Sequence, residues 1–266
     1  MPYPDLPSMS LPSNAARGRI TAITSGKGGV GKTFIAANLA AALARRGERV
    51  LVLDADLGLA NLDVVLNLHP KVTLHDVFTG KAELGDAILP APGGFWVLLA
   101  GSGLVEYSRL TNEVREQLLG VIQKVAPQFD RVLLDTGAGI SEVVLYAVSL
   151  ADHVMVVATP EPTSLTDAYA TIKVLATQQQ RRVIKLLVNQ VSRAGEGRAI
   201  RSQLQQVVDR FVNNGTDTPL VLELVGDVPT DTAVREAVQR RQLLLETHPA
   251  SAAAAAVVAV AENIAA

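Results

Sequence analysis

A glycine-rich segment near the start of the chain has the residue types needed to hold a phosphate chain. Gly26-Lys27-Gly28-Gly29-Val30-Gly31-Lys32-Thr33 matches G-x-x-x-x-G-K-[ST]. It follows an apolar run and precedes a helical pattern, which is the setting that this motif requires. The glycines let backbone N–H groups converge on one point, and the helix start adds a positive dipole. We expect Lys32 to reach the β- and γ-phosphates and the Thr33 hydroxyl to ligate Mg²⁺.

The same loop carries a second lysine, Lys27, which an ordinary phosphate loop does not need. A lysine is usually a solvent-facing charge. Alternatively, Lys27 stabilises a transferring phosphoryl group, and a charge supplied by another subunit can raise a rate by about 10³–10⁵. A tight loop would direct Lys27 away from its own nucleotide, so this hypothesis requires a dimer.

Carboxylates follow two of the apolar runs. Asp54 and Asp56 alternate where the second run opens into a loop, and Asp135 ends the run that begins at Val132. A carboxylate near the γ-phosphate can orient or deprotonate the attacking water. Aspartate is equally suited to turns and helix caps, so position alone leaves Asp54 and Asp56 open. Asp135 has the setting of a Walker B aspartate, which would hold Mg²⁺ through a water.

Seven apolar runs alternate with helical patterns. Continuous apolar runs are typical of strands buried on both faces, and the alternation predicts a parallel sheet with helices on both sides. We expect one α/β domain of the P-loop NTPase class over residues 20–266, with a twisted, mostly parallel sheet of seven to eight strands, and a flexible tail over residues 1–19. The predicted strands are Ile20–Ser25, Arg49–Asp54, Phe95–Ala100, Asp130–Asp135, His153–Ala158, Ile184–Gln190 and Leu220–Gly226.

Composition excludes several other classes of protein. The 266 residues include 24 basic and 26 acidic side chains, a net charge of −2, which argues against a dedicated nucleic-acid coat. There is no cysteine, which removes disulfides, thiolate zinc sites and iron–sulfur ligation. The four histidines lack the spacing of metal ligands.

The segment from Lys27 to Thr33 resembles the deviant Walker A motif of the MinD/ParA family of ATPases. This resemblance implies that ATP and Mg²⁺ are bound, and that Lys27 crosses a nucleotide-sandwich dimer to the other subunit's phosphates. The pattern Asp-x-Asp-x-Gly-x-x-Asn is similar to the family's switch I. It implies that Asp56 activates the attacking water and that Asp54 helps to hold the Mg²⁺ shell.

Further strings resemble the flagellar-number regulators of this family, the FlhG/FleN group. Asp-Thr-Gly-Ala-Gly from Asp135 is one of them, and Gly137 and Gly139 would let the following loop respond to the γ-phosphate. The segment Thr159–Tyr169 is another, in which the resemblance implies that Glu161 contacts the partner subunit.

Four positions concern the nucleoside and its α-phosphate. Asn189 follows a strand, where a turn asparagine is common, but it resembles the family's adenine-reading asparagine. Val228 and Pro229 resemble the loop that packs against the base. Phe34 stands where many relatives have a hydroxyl, so the comparison with the family implies that an α-phosphate contact is lost.

The resemblance implies a slow ATPase that dimerises with ATP, is monomeric otherwise, and regulates flagellar number or placement. It also implies a cytoplasmic protein, with a polar or membrane-peripheral position through its partners as the alternative. The partners it implies are a flagellar GTPase of the signal-recognition type, switch-ring proteins and a flagellar transcription activator. The alternatives are a DNA-segregation or cell-division positioning ATPase and, further away, a dethiobiotin- or cobyrinate-type ligase. After Arg241 there is no Lys or Arg, so Ala252–Ala261 is predicted to be a packing helix and not a basic membrane-binding one.

Overall fold

A computed structural model of the chain describes residues 18–58, 60–101 and 109–265. In these ranges eight strands form one sheet in the order β3-β4-β2-β5-β1-β6-β7-β8. All neighbouring strands are parallel except β3 and β4. The strands are β1 (Arg19–Ser25), β2 (Val50–Ala55), β3 (Ile88–Pro90), β4 (Trp96–Leu98), β5 (Arg131–Ala138), β6 (His153–Ala158), β7 (Val183–Val191) and β8 (Val221–Pro229).

Helices cover both faces of the sheet, as the alternation of elements predicts. One core cluster contains the buried side chains of α1, α10 and α11, and the other contains those of α5, α6, α7 and α8. The helices are α1 (Lys32–Ala44), α2 (Leu62–Leu66), α3 (Leu74–Phe78), α4 (Leu84–Ala87), α5 (Asn112–Val125), α6 (Glu142–Ser149), α7 (Pro162–Gln178), α8 (Glu196–Phe211), α9 (Thr232–Gln239), α10 (Leu244–Thr247) and α11 (Ala252–Ala265).

The sheet confirms the predicted class and strand number. The eighth strand, β3, was not among the seven apolar runs, because its three residues end in a proline and give no strand-length pattern. It pairs antiparallel with β4, which is also short, so this edge of the sheet is a small hairpin-like extension.

The predicted N-terminal tail lies almost entirely outside the described residues. Its last residue, Arg19, already belongs to β1, where it is the register partner of Arg131. The preceding Gly18 is buried and its N–H donates to the carbonyl of Ala126 at 3.0 Å. Within the described residues, contacts with the domain therefore already begin at Gly18 and Arg19.

The C-terminal helix α11 packs into the core, as the sequence predicts. Ala253, Val257, Val260 and Ile264 are buried against the face of the sheet that also carries α1. Among the helices that the structure describes, none combines the length and the hydropathy needed to cross a bilayer.

Candidate functional site

The phosphate loop connects β1 to α1 by a turn that requires glycine. Gly29 has φ +79° and Gly31 has φ +94°, both in the left-handed region that glycine adopts without strain. A Cβ on Gly28 or Gly29 would meet nothing within 4 Å, so this side of the loop is open to a ligand. Gly31 is the N-cap of α1, whose first residue is Lys32. The first turn of α1 therefore begins directly after the open part of the loop.

A cavity of about 680 Å³ lies between this loop and the carboxyl ends of β2 and β5. Its position follows the rule that open parallel sheets bind ligands beyond the carboxyl ends of their strands. The lining includes Gly28, Gly29, Gly31, Lys32, Thr33, Phe34, Asp56, Gly58, Asn61, Thr136, Gly137, Ser141 and Val238.

Two carboxylates are buried side by side behind this cavity. Asp54 and Asp135 are register partners on β2 and β5, and they are 1% and 3% exposed. Burial is the main cause that raises the pKa of Asp54 well above its ordinary value, and the charge of Asp135 adds to it. Burial also raises the pKa of Asp135 to about 6. The sheet therefore places two carboxyl groups side by side where burial disfavours their ionised forms.

Lys32 and Thr33, at the first turn of α1, both interact with Asp135. Burial lowers the pKa of Lys32, while the charges of Asp135 and Asp56 oppose that effect. The Thr33 side chain makes a hydrogen bond with Asp135, which lowers the pKa of that carboxyl. The expected Lys32, Thr33 and Asp135 are thus brought together, with Asp56 lining the same cavity.

The donor set suits a magnesium ion that keeps part of its water shell. Asp135 Oδ1 is buried and has no hydrogen-bond partner within the described residues. Across the same residues, no group of three acidic, histidine or cysteine side chains is arranged to chelate a metal. Mg²⁺ commonly uses one or two carboxylates together with phosphate oxygens and waters, so a protein cage is not required.

Lys27 does not line the cavity. Its Nζ donates to Glu161 Oε2 at 2.7 Å and to Thr163 Oγ1 at 3.0 Å, both at the start of α7. The side chain is 40% exposed. Lys27 therefore points away from the cavity, and Glu161 pairs with a lysine of its own chain.

The residues expected to meet the base lie together at the ends of β7 and β8. Asn189 and Val228 are register partners, and Val191 is opposite Pro229. Asn189 and Val228 are buried, at 6% and 1% exposed, and none of the three expected base contacts lines the cavity.

Gly26 of the phosphate loop and Gly137 of β5 allow close packing. A Cβ on Gly26 would lie 2.1 Å from the backbone oxygen of Asp167, so Gly26 lets α7 approach the loop. A Cβ on Gly137 would lie 3.3 Å from Asp56 Oδ1, so glycine at this position lets the end of β5 approach that carboxylate. Gly139, with φ +87°, donates its N–H to the Ser25 carbonyl at 2.8 Å.

Sequence reasoning missed several residues that line the cavity. Asn61, Thr136, Ser141 and Val238 come from four separate elements. Asn61 was visible as the last position of the switch-like pattern. Val238, on α9, carries no local signal, since only the tertiary fold brings that helix to the site.

The strand–loop–helix geometry, the paired lysine and threonine, and the aspartates at neighbouring strand ends define a P-loop nucleotide-binding protein. The family model described as the CobQ/CobB/MinD/ParA nucleotide binding domain matches residues 21–245. The chain belongs to this family.

Individual relatives agree with this assignment. The chain is 42% identical over 246 residues to the antiactivator FleN of Pseudomonas aeruginosa, covering 92% of this chain and 86% of the relative. It is 32% identical over 237 residues to the flagellum site-determining protein YlxH of Helicobacter pylori, covering 89% and 78%. Among solved structures, the septum site-determining protein MinD of Pyrococcus horikoshii complexed with Mg-ADP matches with a TM-score of 0.76 and 28% identity, covering 93% and 96%.

Proposed function

We propose that the protein is an ATP-dependent switch that hydrolyses ATP slowly and controls flagellar number or placement. The observation that carries the chemistry is the convergence of Lys32, Thr33 and Asp56 at one cavity beside an open glycine loop, with Asp135 buried behind it against Thr33. The similarity to a MinD complexed with Mg-ADP supports an adenine nucleotide with Mg²⁺ as the ligand.

In this proposal the chain's own groups bind and orient the triphosphate. The N–H groups of Gly28 to Thr33 and the Lys32 ammonium hold the phosphates, Thr33 and Asp135 hold the metal shell, and Asp54 supports it from behind. Asp56, which lines the cavity, orients the attacking water and accepts its proton. Bound Mg²⁺ would neutralise charge that develops on the phosphate oxygens.

Dimerisation with ATP is the second part of the proposal. Lys27 is directed outwards, so it is available to a second copy only after it leaves Glu161 and Thr163. Exposed apolar side chains lie on the cavity lining or next to it in sequence, namely Val64, Ile140 and Val238, each 46–48% exposed. A second copy would cover this rim and complete the phosphate site.

The biochemical test compares light scattering and ATP turnover of the wild type with two variants in ATP and Mg²⁺. Asp56→Ala is expected to dimerise and to hydrolyse ATP at least 10²-fold more slowly, since water activation is lost. Lys27→Ala is expected to remain monomeric. Normal hydrolysis by Asp56→Ala would refute the role of Asp56, and a normal dimer of Lys27→Ala would refute that of Lys27.

The flagellar role is supported by the two relatives whose names concern flagella. Its test is deletion of the gene followed by flagellar counts in electron micrographs, with complementation by the wild type or by Lys32→Ala. Restoration of the normal count by the wild type alone is expected. The proposed partners, a signal-recognition-type GTPase, switch-ring proteins or a flagellar transcription activator, should co-purify with Asp56→Ala in ATP.

A further inference from the structure

Asn189 connects the end of β7 to the phosphate loop. Its side-chain Nδ2 donates to the backbone oxygen of Val30 at 2.8 Å, and its Oδ1 accepts from the N–H of Gln190 at 3.0 Å. The side chain is 6% exposed, so these bonds are made away from competing water. The two bonded elements are 159 residues apart in sequence.

Local backbone features allow this contact on both sides. The register between β7 and β8 shifts between Asn189 and Val191, and Gln190 has φ +62°, so the strand turns after Asn189. On the loop, a Cβ at Gly31 would lie 2.5 Å from Asn189 Nδ2. Only glycine at this position lets the carboxamide approach Val30.

This bond fixes the direction of a peptide group that faces the ligand site. A trans peptide is planar, and its C=O and N–H point in opposite directions. Because the Val30 oxygen is bonded to Asn189, the Gly31 N–H is turned away from β7. Val30 is 3% exposed and absent from the cavity lining, whereas Gly31 lines the cavity.

We infer that Asn189 is a positioning residue that holds the Val30–Gly31 peptide with the Gly31 N–H directed at the bound phosphates. The inference rests on the proposed nucleotide site. It differs from a role in reading adenine, because a residue that orients the loop affects every polyphosphate equally, whatever base is attached. One amide hydrogen and one oxygen lone pair of Asn189 remain for other contacts.

The experiment measures binding by calorimetry with Mg²⁺ and three ligands: a non-hydrolysable ATP analogue, the matching GTP analogue, and inorganic tripolyphosphate. Asn189→Ala removes the bond without adding charge, and Asn189→Leu does so while keeping the side-chain volume. Each variant is expected to lower the affinity for all three ligands by a similar factor, about tenfold, because one buried hydrogen bond and the loop conformation that it maintains are lost.

The control is Asn263→Ala. Asn263 also donates from Nδ2 to a backbone oxygen, that of Val225, at 2.9 Å, but on the edge strand β8. It is expected to leave all three affinities unchanged. In amide NMR spectra of the free proteins, the Gly31 resonance is expected to shift in Asn189→Leu and not in Asn263→Ala.

The outcomes separate this inference from the proposed function. If the wild type binds none of the three ligands, the proposed function fails. If the wild type binds but the Asn189 variants lose only the preference for adenine over guanine, or lose nothing, the inference alone is refuted. Should both variants fail to fold, the wild type still decides, because a rapidly exchanging Asn189 side-chain amide would contradict the bond to Val30.

Discussion

At the amino ends of β2 and β5 buried charge is paired, whereas at their carboxyl ends it is in excess. Arg131, 6% exposed, pairs with Glu48 and donates to the backbone oxygens of Ile264 and Ala265 at the end of α11. At the other end, Asp54 and Asp135 are buried beside each other, and burial raises the pKa of both.

The two ends differ in role. The contacts of Arg131 stabilise the fold, whereas the buried carboxyls of Asp54 and Asp135 form part of the candidate ligand site. Burying a charge is costly unless hydrogen bonds and an opposite charge compensate. The guanidinium of Arg131 has both. Asp54 accepts backbone N–H bonds from Asp56 and Leu62. Asp135 interacts with Lys32, whose own pKa is lowered by burial. A cation and phosphates would complete the balance of charge at this end.

The largest effect is expected from Arg131→Met, which keeps the apolar stem and removes the guanidinium. Glu48 and two helix-terminal oxygens lose their partner, and the free energy of unfolding should fall by about 3–4 kcal/mol, as for other broken buried pairs. Urea denaturation measures this loss. Glu48→Gln added to Arg131→Met should recover part of it, and a loss below about 1 kcal/mol would contradict the contrast between the two ends.

The pH dependence of stability should have opposite signs at the two ends. Asp135 has a pKa of about 6 in the folded protein, against 3.8 ordinarily. Between these values the folded state binds more protons than the unfolded state, so raising the pH from below 3 to above 7 should cost about 3 kcal/mol, about 2 kcal/mol of it between pH 4 and pH 6. The comparison of wild type with Asp135→Asn by urea denaturation in a chelator measures it.

The control for that titration is Asp130→Asn at the amino end. The hydrogen bond from Arg49 is the main cause that lowers the pKa of Asp130. The stabilising contribution of Asp130 is therefore present above its unfolded pKa and is lost as the pH falls through the folded value. If Asp135→Asn and Asp130→Asn changed the pH profile in the same direction, the contrast would be wrong.

Sequence predicted the carboxyl end better than the amino end. The phosphate loop and the strand-end aspartates are local patterns, and their chemistry follows from residue type and spacing. Contacts between residues that are far apart in sequence have no such pattern, because they depend on the folded chain. Examples are the hydrogen bonds from Lys27 to Thr163, from Asn189 to Val30 and from Arg131 to the end of α11. The strand β3 was missed because three residues give no periodicity.

Ligand binding should stabilise the protein only through the carboxyl end. With Mg²⁺ and ADP at about 100 times the dissociation constant, the free energy of unfolding should rise by about 2.7 kcal/mol. Arg131→Met should keep this increment, although it starts from a lower stability. Asp135→Asn should lose the part that depends on Mg²⁺. Thermal denaturation with and without each component measures the increments, and an unchanged Mg²⁺ effect in Asp135→Asn would rule out its role in the metal shell.

The smallest effect is expected from Arg49→Ala. Arg49 makes two side-chain hydrogen bonds to Asp130, at 2.9 and 3.2 Å, and its backbone N–H makes a third, which alanine retains. Both side chains are nearly half exposed, so water replaces the lost bonds and the cost should be about 0.5 kcal/mol. Urea denaturation of Arg49→Ala and Arg131→Met under the same conditions tests whether burial explains the difference between the two arginines. A loss as large as that of Arg131→Met would mean that burial does not distinguish these two arginines.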